Sequence, residues 1–516
     1  MMAESMASGS GTVGAVAGKT LAQLYPACAA AGCGDIRVTG LSGDSRETVA
    51  GDLFFALPGA QCDGRDFIEQ ALSAGAAAVF AESRENFSVE MRAAVAVVHL
   101  PQLASQCSAI AACFYDDPSA AMTVFAVTGT NGKTTCSHLI ASLSQQIDRR
   151  CGLIGTLGYG VIGAERALQS TGMTTPDALQ LQACMADLQR VGCESVAVEV
   201  SSHALVQARA DAVRVNIAVL TNLSRDHLDF HQDMAGYAAA KRRLFQFDGL
   251  DTAVINFDDE FGRQLACELA GRVALLSYST VSAEADIHAH NICYSLDCIR
   301  ADISTPWGDG QLSLPLMGEF NLSNALAALA ALLAAGSALP AVLAGFSSVA
   351  AVDGRMQLLS VAGSEDDVPS VAVVVDYAHT PEALALALAA LRPHVAGRLW
   401  CVFGCGGDRD RGKRAEMGRI AIAAADCVVV TSDNPRSEPA EQIIDDVLLG
   451  IDALQSVCVE PDRAAAIAFA IERAEPGDLI LLAGKGHEKF QLIAGQRLPF
   501  CDVDTAQRCL AARRSS

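Results

Sequence analysis

Short apolar runs, each followed by a stretch with apolar positions at helical spacing, recur along most of the chain and predict an α/β architecture built from parallel βαβ units. Between residues 39 and 117, runs at 52–57 and 76–81 flank a helical stretch at 68–74, the pattern of a small α/β domain. The YDDPS segment at 115–119 is a turn-rich break, and the run 124–127 beyond it leads directly into a glycine-rich loop. Runs at 195–200, 217–221 and 253–256 alternate with helical segments, which implies a central domain whose parallel strands are joined by right-handed crossovers. A second break lies near 349–355. Beyond it, runs at 371–375, 399–403, 427–431 and 479–483 alternate with helical stretches at 381–391 and 413–424, as in a doubly wound domain that takes ligands at its strand C-termini. The expected organisation is a flexible tail at 1–18, a small N-terminal α/β domain at 19–119, a central domain with a mostly parallel sheet at 120–351, and a Rossmann-like C-terminal domain at 352–516.

The length of 516 residues fits this division, since domains usually hold ~100 to 200 residues. A hydrophobic fraction of 51% with only 19% charged residues excludes wholesale disorder. The net charge of -22 argues against nucleic acid or an anionic membrane as partner, because both need clustered Lys and Arg. Any phosphate ligand must then be held by local donors. The 18 cysteines are scattered without regular spacing, which fits reduced thiols in a cytoplasm better than a disulfide scaffold. Cys401 and Cys405 come closest to a metal pair, yet no second Cys/His pair sits at zinc-site spacing, so they read as core cysteines. The first 18 residues lack the basic start and apolar run of a secretory signal. Residues 325–346 carry no charge and are long enough to cross a bilayer, but Gly336 and Pro340 split them into two short helices suited to a soluble core. No stable membrane insertion is expected.

Chemistry enters at TGTNGKTT, residues 128–135, between a predicted strand and a predicted helix. In such a loop the backbone N–H groups of Gly129, Thr130, Asn131 and Gly132 face phosphates, Lys133 reaches the terminal phosphates, and Thr134 and Thr135 open the helix, with Thr134 able to hold Mg²⁺. Gly18-Lys19-Thr20 has no preceding strand and reads as chance. Glu199, with Ser201 to His203 after it, and Asp226-His227 both follow strands, so they share the phosphate edge; hard oxygen ligands there suit Mg²⁺.

TGTNGKTT, EVSSH at 199–203, TNLSRDHLDFH at 221–231, GEFNLSNALAA at 318–328 and DYAHTPEAL at 376–384 together resemble the Mur ligase family, across all three domains. The resemblance implies an N-terminal UDP-binding domain, a central P-loop ATPase-like domain and a C-terminal amino-acid-binding domain. It implies ATP as co-substrate and a carboxylate activated as an acyl phosphate before an amine attacks it. Lys133 and Thr134 would bind phosphates and Mg²⁺, with Glu199 and His227 managing the metal. Asn321 and Asn324 would lie near the adenine, and Arg355 and Asp376 would reach the nucleotide. Lys241, in YAAAKRRLF, matches the lysine that family members carboxylate with CO₂; a carbamate turns a cation into an anion able to bind Mg²⁺. Without that match, Lys241 beside Arg242 and Arg243 reads as a solvated basic helix face.

Substrate residues also come from the resemblance. Asp433-Asn434-Pro435-Arg436 resembles the DNPR signature of the diaminopimelate-adding members, with Arg409, Gly484 and Glu488 as companions. The Arg436 fork suits the distal carboxylate that distinguishes diaminopimelate from lysine. For the muramoyl acceptor, Thr174, Thr175, Ser201, Gln207 and Arg209 align with dipeptide contacts, with Met173 where an asparagine is common; Ser45 and the Ala60–Gln61–Cys62 segment align with the UDP end, with Gly43, Ala60 and Cys62 in a variable part of the uridine pocket. The expectation is a cytoplasmic, monomeric ligase acting on ATP, UDP-MurNAc-L-Ala-D-Glu and meso-diaminopimelate in peptidoglycan synthesis. Rivals are a lysine-adding relative, a folylpolyglutamate synthase-like ligase, and a non-catalytic nucleotide-dependent switch.

Overall fold

A computed structural model describes residues 18–59, 62–92, 94–164, 167–295, 298–351, 354–359, 371–452 and 457–514. The tail at 1–17 and the expected contacts Ala60 and Gln61 lie outside the described residues. The chain divides into two compact units, Met1–Tyr278 with Ala327–Ala338, and Ser279–Leu326 with Leu339–Ser516.

The first unit opens on a five-stranded sheet ordered Gly40–Ser42, Asp52–Ala56, Ala78–Ser83, Val95–Pro101, Ser88–Arg92, parallel except for the last strand. Alternate residues of its inner strands face opposite sides: Leu53, Phe55 and Phe80 pack with Leu103, Ile110 and Phe114, whereas Phe54 and Val79 pack with Ile68 and Ala71. The YDDPS break appears as Asp116 and Asp117 in the left-handed region, φ 60° and 53°, followed by a short 3-10 turn at Pro118–Ala121.

A second sheet in this unit runs Gly158–Val161, Cys151–Gly155, Ser195–Glu199, Thr123–Thr128, Ile217–Leu220, Thr252–Asn256, Ala274–Ser279. All its pairs are parallel except the hairpin Cys151–Gly155/Gly158–Val161. The central strands are buried along their whole length because helices cover both faces, so they read as continuous apolar runs. Thr123–Thr128 lies between Ser195–Glu199 and Ile217–Leu220, which sets the phosphate loop, Glu199 and the 221–227 segment along one edge.

In the second unit, Ile287–Tyr294, Ile299–Thr305 and Gly308–Leu314 form an antiparallel meander that the apolar pattern does not reveal. A further sheet runs Gln357–Leu359, Ala372–Asp376, Leu479–Ala483, Leu399–Phe403, Cys427–Val430, Val457–Val459, parallel except at its first strand. Pro381–Leu391, Gly412–Ala424 and Ala440–Leu448 pack on one face, and Arg463–Arg473 and Asp502–Arg514 on the other, the expected doubly wound arrangement. The uncharged segment 325–346 is divided between helices Glu319–Ala334 and Leu339–Phe346, with Gly336 at φ 82° between them. Among the described residues no helix is long and apolar enough to cross a membrane. All 18 cysteines are free; burial pushes the Cys401 and Cys405 thiols up to about 12, which opposes the thiolate a metal would need.

Candidate active site

Strand Thr123–Thr128 ends at Gly129, whose φ of 152° few side chains tolerate. A Cβ there would fall 1.8 Å from Thr221 Oγ1, so close approach requires glycine. The loop is clamped by the neighbouring strand's extension: Thr130 N donates to Asn222 O and Asn131 N to Asn222 Oδ1, both at 2.9 Å. Gly132, at φ 84°, turns the chain into helix Lys133–Gln146, whose N-terminal N–H groups form an anion-binding end. Lys133 Nζ folds back over the loop and donates to Gly129 O and Thr130 O, each at 2.9 Å.

Glu199, 1% exposed, lies beneath this helix. Its Oε2 accepts from Thr134 Oγ1 and Thr156 Oγ1 at 3.0 Å, and its Oε1 accepts from Thr156 N at 2.9 Å. Burial pushes the carboxyl above its ordinary value, opposed by the charge of Lys133 and by those hydrogen bonds. The sequence pattern did not single out Thr156; the only signal was a threonine just beyond a buried glycine-ended strand.

Lys241 does not lie on a solvated helix face. Its side chain is buried, Nζ donates to Gly129 O at 2.7 Å and stands 4.5 Å over the Tyr237 ring. Burial, then the charge of Lys133, hold its ammonium form well below the ordinary lysine range, with Asp226 opposing. His227 is exposed, in the left-handed region at φ 53°, with Nε2 3.3 Å from Asp226 Oδ2 and its ring 4.9 Å from that of His203. His231 Nε2 lies 2.8 Å from Ser202 Oγ, and its ring 4.9 Å from Tyr237, whose hydroxyl is 3.2 Å from Thr130 Oγ1. The 226–237 segment is thereby tied back to the phosphate loop.

The residues aligned with dipeptide contacts also meet in the first unit. Thr175 Oγ1 donates to Glu199 O at 2.8 Å and lies 3.3 Å from Ser201 Oγ, and Thr174 Oγ1 lies 3.2 Å from Thr156 Oγ1. Arg209 donates to Thr175 O at 2.7 Å, to Gln207 Oε1 at 2.6 Å and to Met173 Sδ at 3.3 Å. Ser45 Oγ donates to Gln70 Oε1 at 3.0 Å; a Cβ at Gly43 would meet Leu179 at 3.6 Å, and Cys62 is exposed.

In the second unit Asn321, 3% exposed, donates Nδ2 to Met317 O at 2.8 Å, while its buried Oδ1 has no hydrogen-bond partner among the described residues; Asn324 is buried one turn on. The Arg355 guanidinium stacks 4.7 Å over Tyr377. Burial raises the Asp376 carboxyl, against the charge of Arg355 and the N–H of Met356 donating at 2.7 Å.

Residues 433–436 continue from strand Cys427–Val430, beside the loop that leaves Leu479–Ala483 at Gly484, φ 113°. Asn434 Nδ2 donates to Glu488 Oε2 at 2.8 Å. Fully buried Lys485, which the sequence pattern passed over, donates to Glu488 Oε2 at 2.8 Å and Asn434 Oδ1 at 3.1 Å, and stands 3.6 Å from Asp433 Oδ1. Pro435 is buried; Arg436, at φ 55°, donates to Gly407 O at 2.8 Å, while Arg409 is exposed near Gly406. Arg463, also unforeseen, is fully buried; it pairs with Asp502 at 2.7 Å and donates to Ala483 O at 2.9 Å and Ser432 O at 3.4 Å. It thereby links the ends of two strands that are separated by Leu399–Phe403.

Among the described residues no three His, Cys, Asp or Glu side chains gather as a metal site. The donor set at the loop still fits Mg²⁺, which is commonly held by one or two carboxylates plus substrate phosphates: Glu199 is a buried carboxylate beside the Thr134 hydroxyl at a phosphate-binding helix end.

Comparison with known proteins matches residues 127–332 to the Mur ligase middle domain, 354–486 to the Mur ligase glutamate ligase domain, and 37–115 to the Mur ligase family catalytic domain. The chain is 44% identical over 497 residues to the UDP-N-acetylmuramoyl-L-alanyl-D-glutamate--2,6-diaminopimelate ligase of Coxiella burnetii, covering 96% of this chain and 100% of that protein. It is 47% identical over 493 residues to the protein of the same name from Pseudomonas aeruginosa, covering 96% and 98%. A solved structure of a UDP-N-acetylmuramoyl-L-alanyl-D-glutamate--2,6-diaminopimelate ligase superposes with a TM-score of 0.70 at 37% identity, covering 97% of this chain and 100% of that one.

Proposed function

The chain belongs to the Mur ligase family, and from that premise we propose that it uses ATP to join meso-diaminopimelate to the D-glutamyl γ-carboxylate of UDP-N-acetylmuramoyl-L-alanyl-D-glutamate in peptidoglycan synthesis. The observation that carries this reading is the meeting of Lys133, Thr134, Glu199 and Lys241 around one glycine-bounded loop. The three-part division at 19–119, 120–351 and 352–516 assigns the UDP end, the nucleotide and the amino acid to separate domains.

In the proposed reaction a γ-carboxylate oxygen of the acceptor bonds to the γ-phosphorus of ATP, the bond to the bridging oxygen breaks, and ADP leaves. The acyl phosphate is then attacked by the neutral amine of diaminopimelate; the C–N bond forms, phosphate departs with the C–O bond, and one amine proton is released. Lys133 and the helix N-terminal amides stabilise charge developing on the phosphoryl oxygens. Thr134, Glu199, His227 and a carbamate on Lys241 would hold Mg²⁺, which when bound with ATP supplies positive charge against the phosphates. The lowered basicity of Lys241 favours this modification, because the neutral amine is the form that attacks CO₂. Asn321, Asn324, Arg355 and Asp376 serve the nucleotide. Met173, Thr174, Thr175, Ser201, Gln207 and Arg209 position the dipeptide, and Gly43, Ser45 and the 60–62 segment the UDP end. In the C-terminal domain Asp433, Asn434, Pro435, Arg436, Gly484, Glu488 and Arg409 form the amino-acid pocket, in which Arg436 receives the distal carboxylate.

Purified protein supplied with ATP, UDP-muramoyl dipeptide and a panel of amines tests the reading. ADP release should require both acceptor and amine, with meso-diaminopimelate preferred over lysine. ATP left intact in the full mixture, or efficient lysine addition without use of diaminopimelate, overturns it.

A further inference from the structure

The side chains around Asp433 have a charge pattern that the DNPR signature alone does not explain. Two carboxylates, Asp433 and Glu488, converge on the ammonium of Lys485, which is wholly buried and held at 2.8 Å by Glu488, 3.1 Å by Asn434 Oδ1 and 3.6 Å by Asp433. The guanidinium of Arg436, two residues after Asn434, is turned toward Gly407 O. The Arg463–Asp502 pair below it is internally compensated, and Arg409 is exposed, where solvent and salt screen it. Within this cluster of four side chains, two anions therefore stand against two cations. A balanced cluster with separated charges suits a substrate end that is itself neutral overall, bearing one ammonium and one carboxylate.

We propose that Lys485 is a specificity-determining positioning residue: it offsets one of the two carboxylates and fixes Glu488 and Asn434, so that the pocket accepts a zwitterionic amino-acid terminus and rejects a bare ammonium. The inference rests on the amino-acid assignment made above and extends it to a residue that meets the substrate only through its neighbours. Without the Lys485 charge the cluster carries a surplus negative charge, which favours an amine lacking the distal carboxylate. Glu488 also loses the partner that holds its carboxylate in place.

The test compares wild type, Lys485→Met, Lys485→Arg and the double variant Asp433→Asn/Lys485→Met in full-length protein. Each is assayed for kcat/KM with meso-diaminopimelate and with L-lysine, at saturating ATP and muramoyl dipeptide. The preference for diaminopimelate over lysine should fall about 10-fold in Lys485→Met, chiefly through KM. Lys485→Arg should keep most of the preference, and the double variant, in which neutrality is restored, should regain it. The double variant also covers the case in which Lys485→Met fails to fold, because it leaves one carboxylate, not two, beside the lost ammonium. An unchanged preference in folded Lys485→Met overturns the proposal, as does a double variant whose preference stays low. Failure of wild type to use diaminopimelate overturns the functional reading along with it, whereas wild-type use with an unchanged variant ratio overturns this inference alone.

Discussion

At the phosphate loop, shape resides in the backbone: Gly129 and Gly132 adopt angles few other residues reach, and a Cβ at Gly129 would strike Thr221 at 1.8 Å. Around Asp433 the reverse holds, because shape there is set by charged side chains contributed by segments tens of residues apart, namely Asp433, Arg463, Lys485 and Asp502. A backbone-built site tolerates almost no substitution but can serve any triphosphate chemistry. A side-chain-built site can be retuned by single changes, which suits the part of an enzyme that chooses among similar amino acids.

Substitutions at the two regions should therefore fail in different ways. The largest effect is expected for Gly129→Ala, which must displace Thr221 or the loop and should lower kcat/KM for every amine by about 10²-fold or more in steady-state assays; a loss confined to one amine would contradict the division. Lys241→Ala removes the buried amine that holds Gly129 O and should cost about 10- to 100-fold in kcat, while bicarbonate should raise the activity of under-modified wild type and leave the variant unaffected. Arg436→Ala should instead raise KM for meso-diaminopimelate by about 10-fold while lysine is used as well as before or better, since it removes a charge-assisted contact from one substrate only; equal loss with both amines would return Arg436 to a structural role.

The smallest effect concerns stability. Burial raises the folded value of Glu199 above that of an unfolded carboxylate, so folding binds protons in the window between the two, and stability falls as pH rises through it. Glu199→Gln removes the charge, and its amide can bond the two threonine hydroxyls. Thermal melts should therefore show the inactive variant about 2–4 °C more stable than wild type at pH 8. The advantage should vanish below the ordinary carboxylate value, and a variant less stable at both pH values would show that the carboxylate is not strained by burial.

The same contrast explains what the sequence disclosed. A strand, a glycine turn and a GKT triplet are neighbours along the chain, so the loop, its helix and the strands at 195–199 and 217–220 were legible from periodicity. The meander at 287–314 was not, because its strands face the core with only alternate residues and mix Ile and Ala with His, Asn and Asp. Lys241 by pattern alone belongs to a basic helix face, and only its packing against Tyr237 and Gly129 reverses that reading. Lys485 and Arg463 were missed for a related reason: an ion pair between residues 39 positions apart, as in Arg463–Asp502, leaves no mark in local spacing. A lysine between two glycines after an apolar strand, with Glu488 three residues on, was the one local hint.

Arg463 works as a rivet. Because a single guanidinium fastens the ends of two strands that are not neighbours, the chain leaving them at Asp433 and Gly484 cannot slacken while the sheet beneath it stays closed. Discrimination between amines should accordingly persist up to the denaturant concentration at which this sheet opens, and disappear with it in one step.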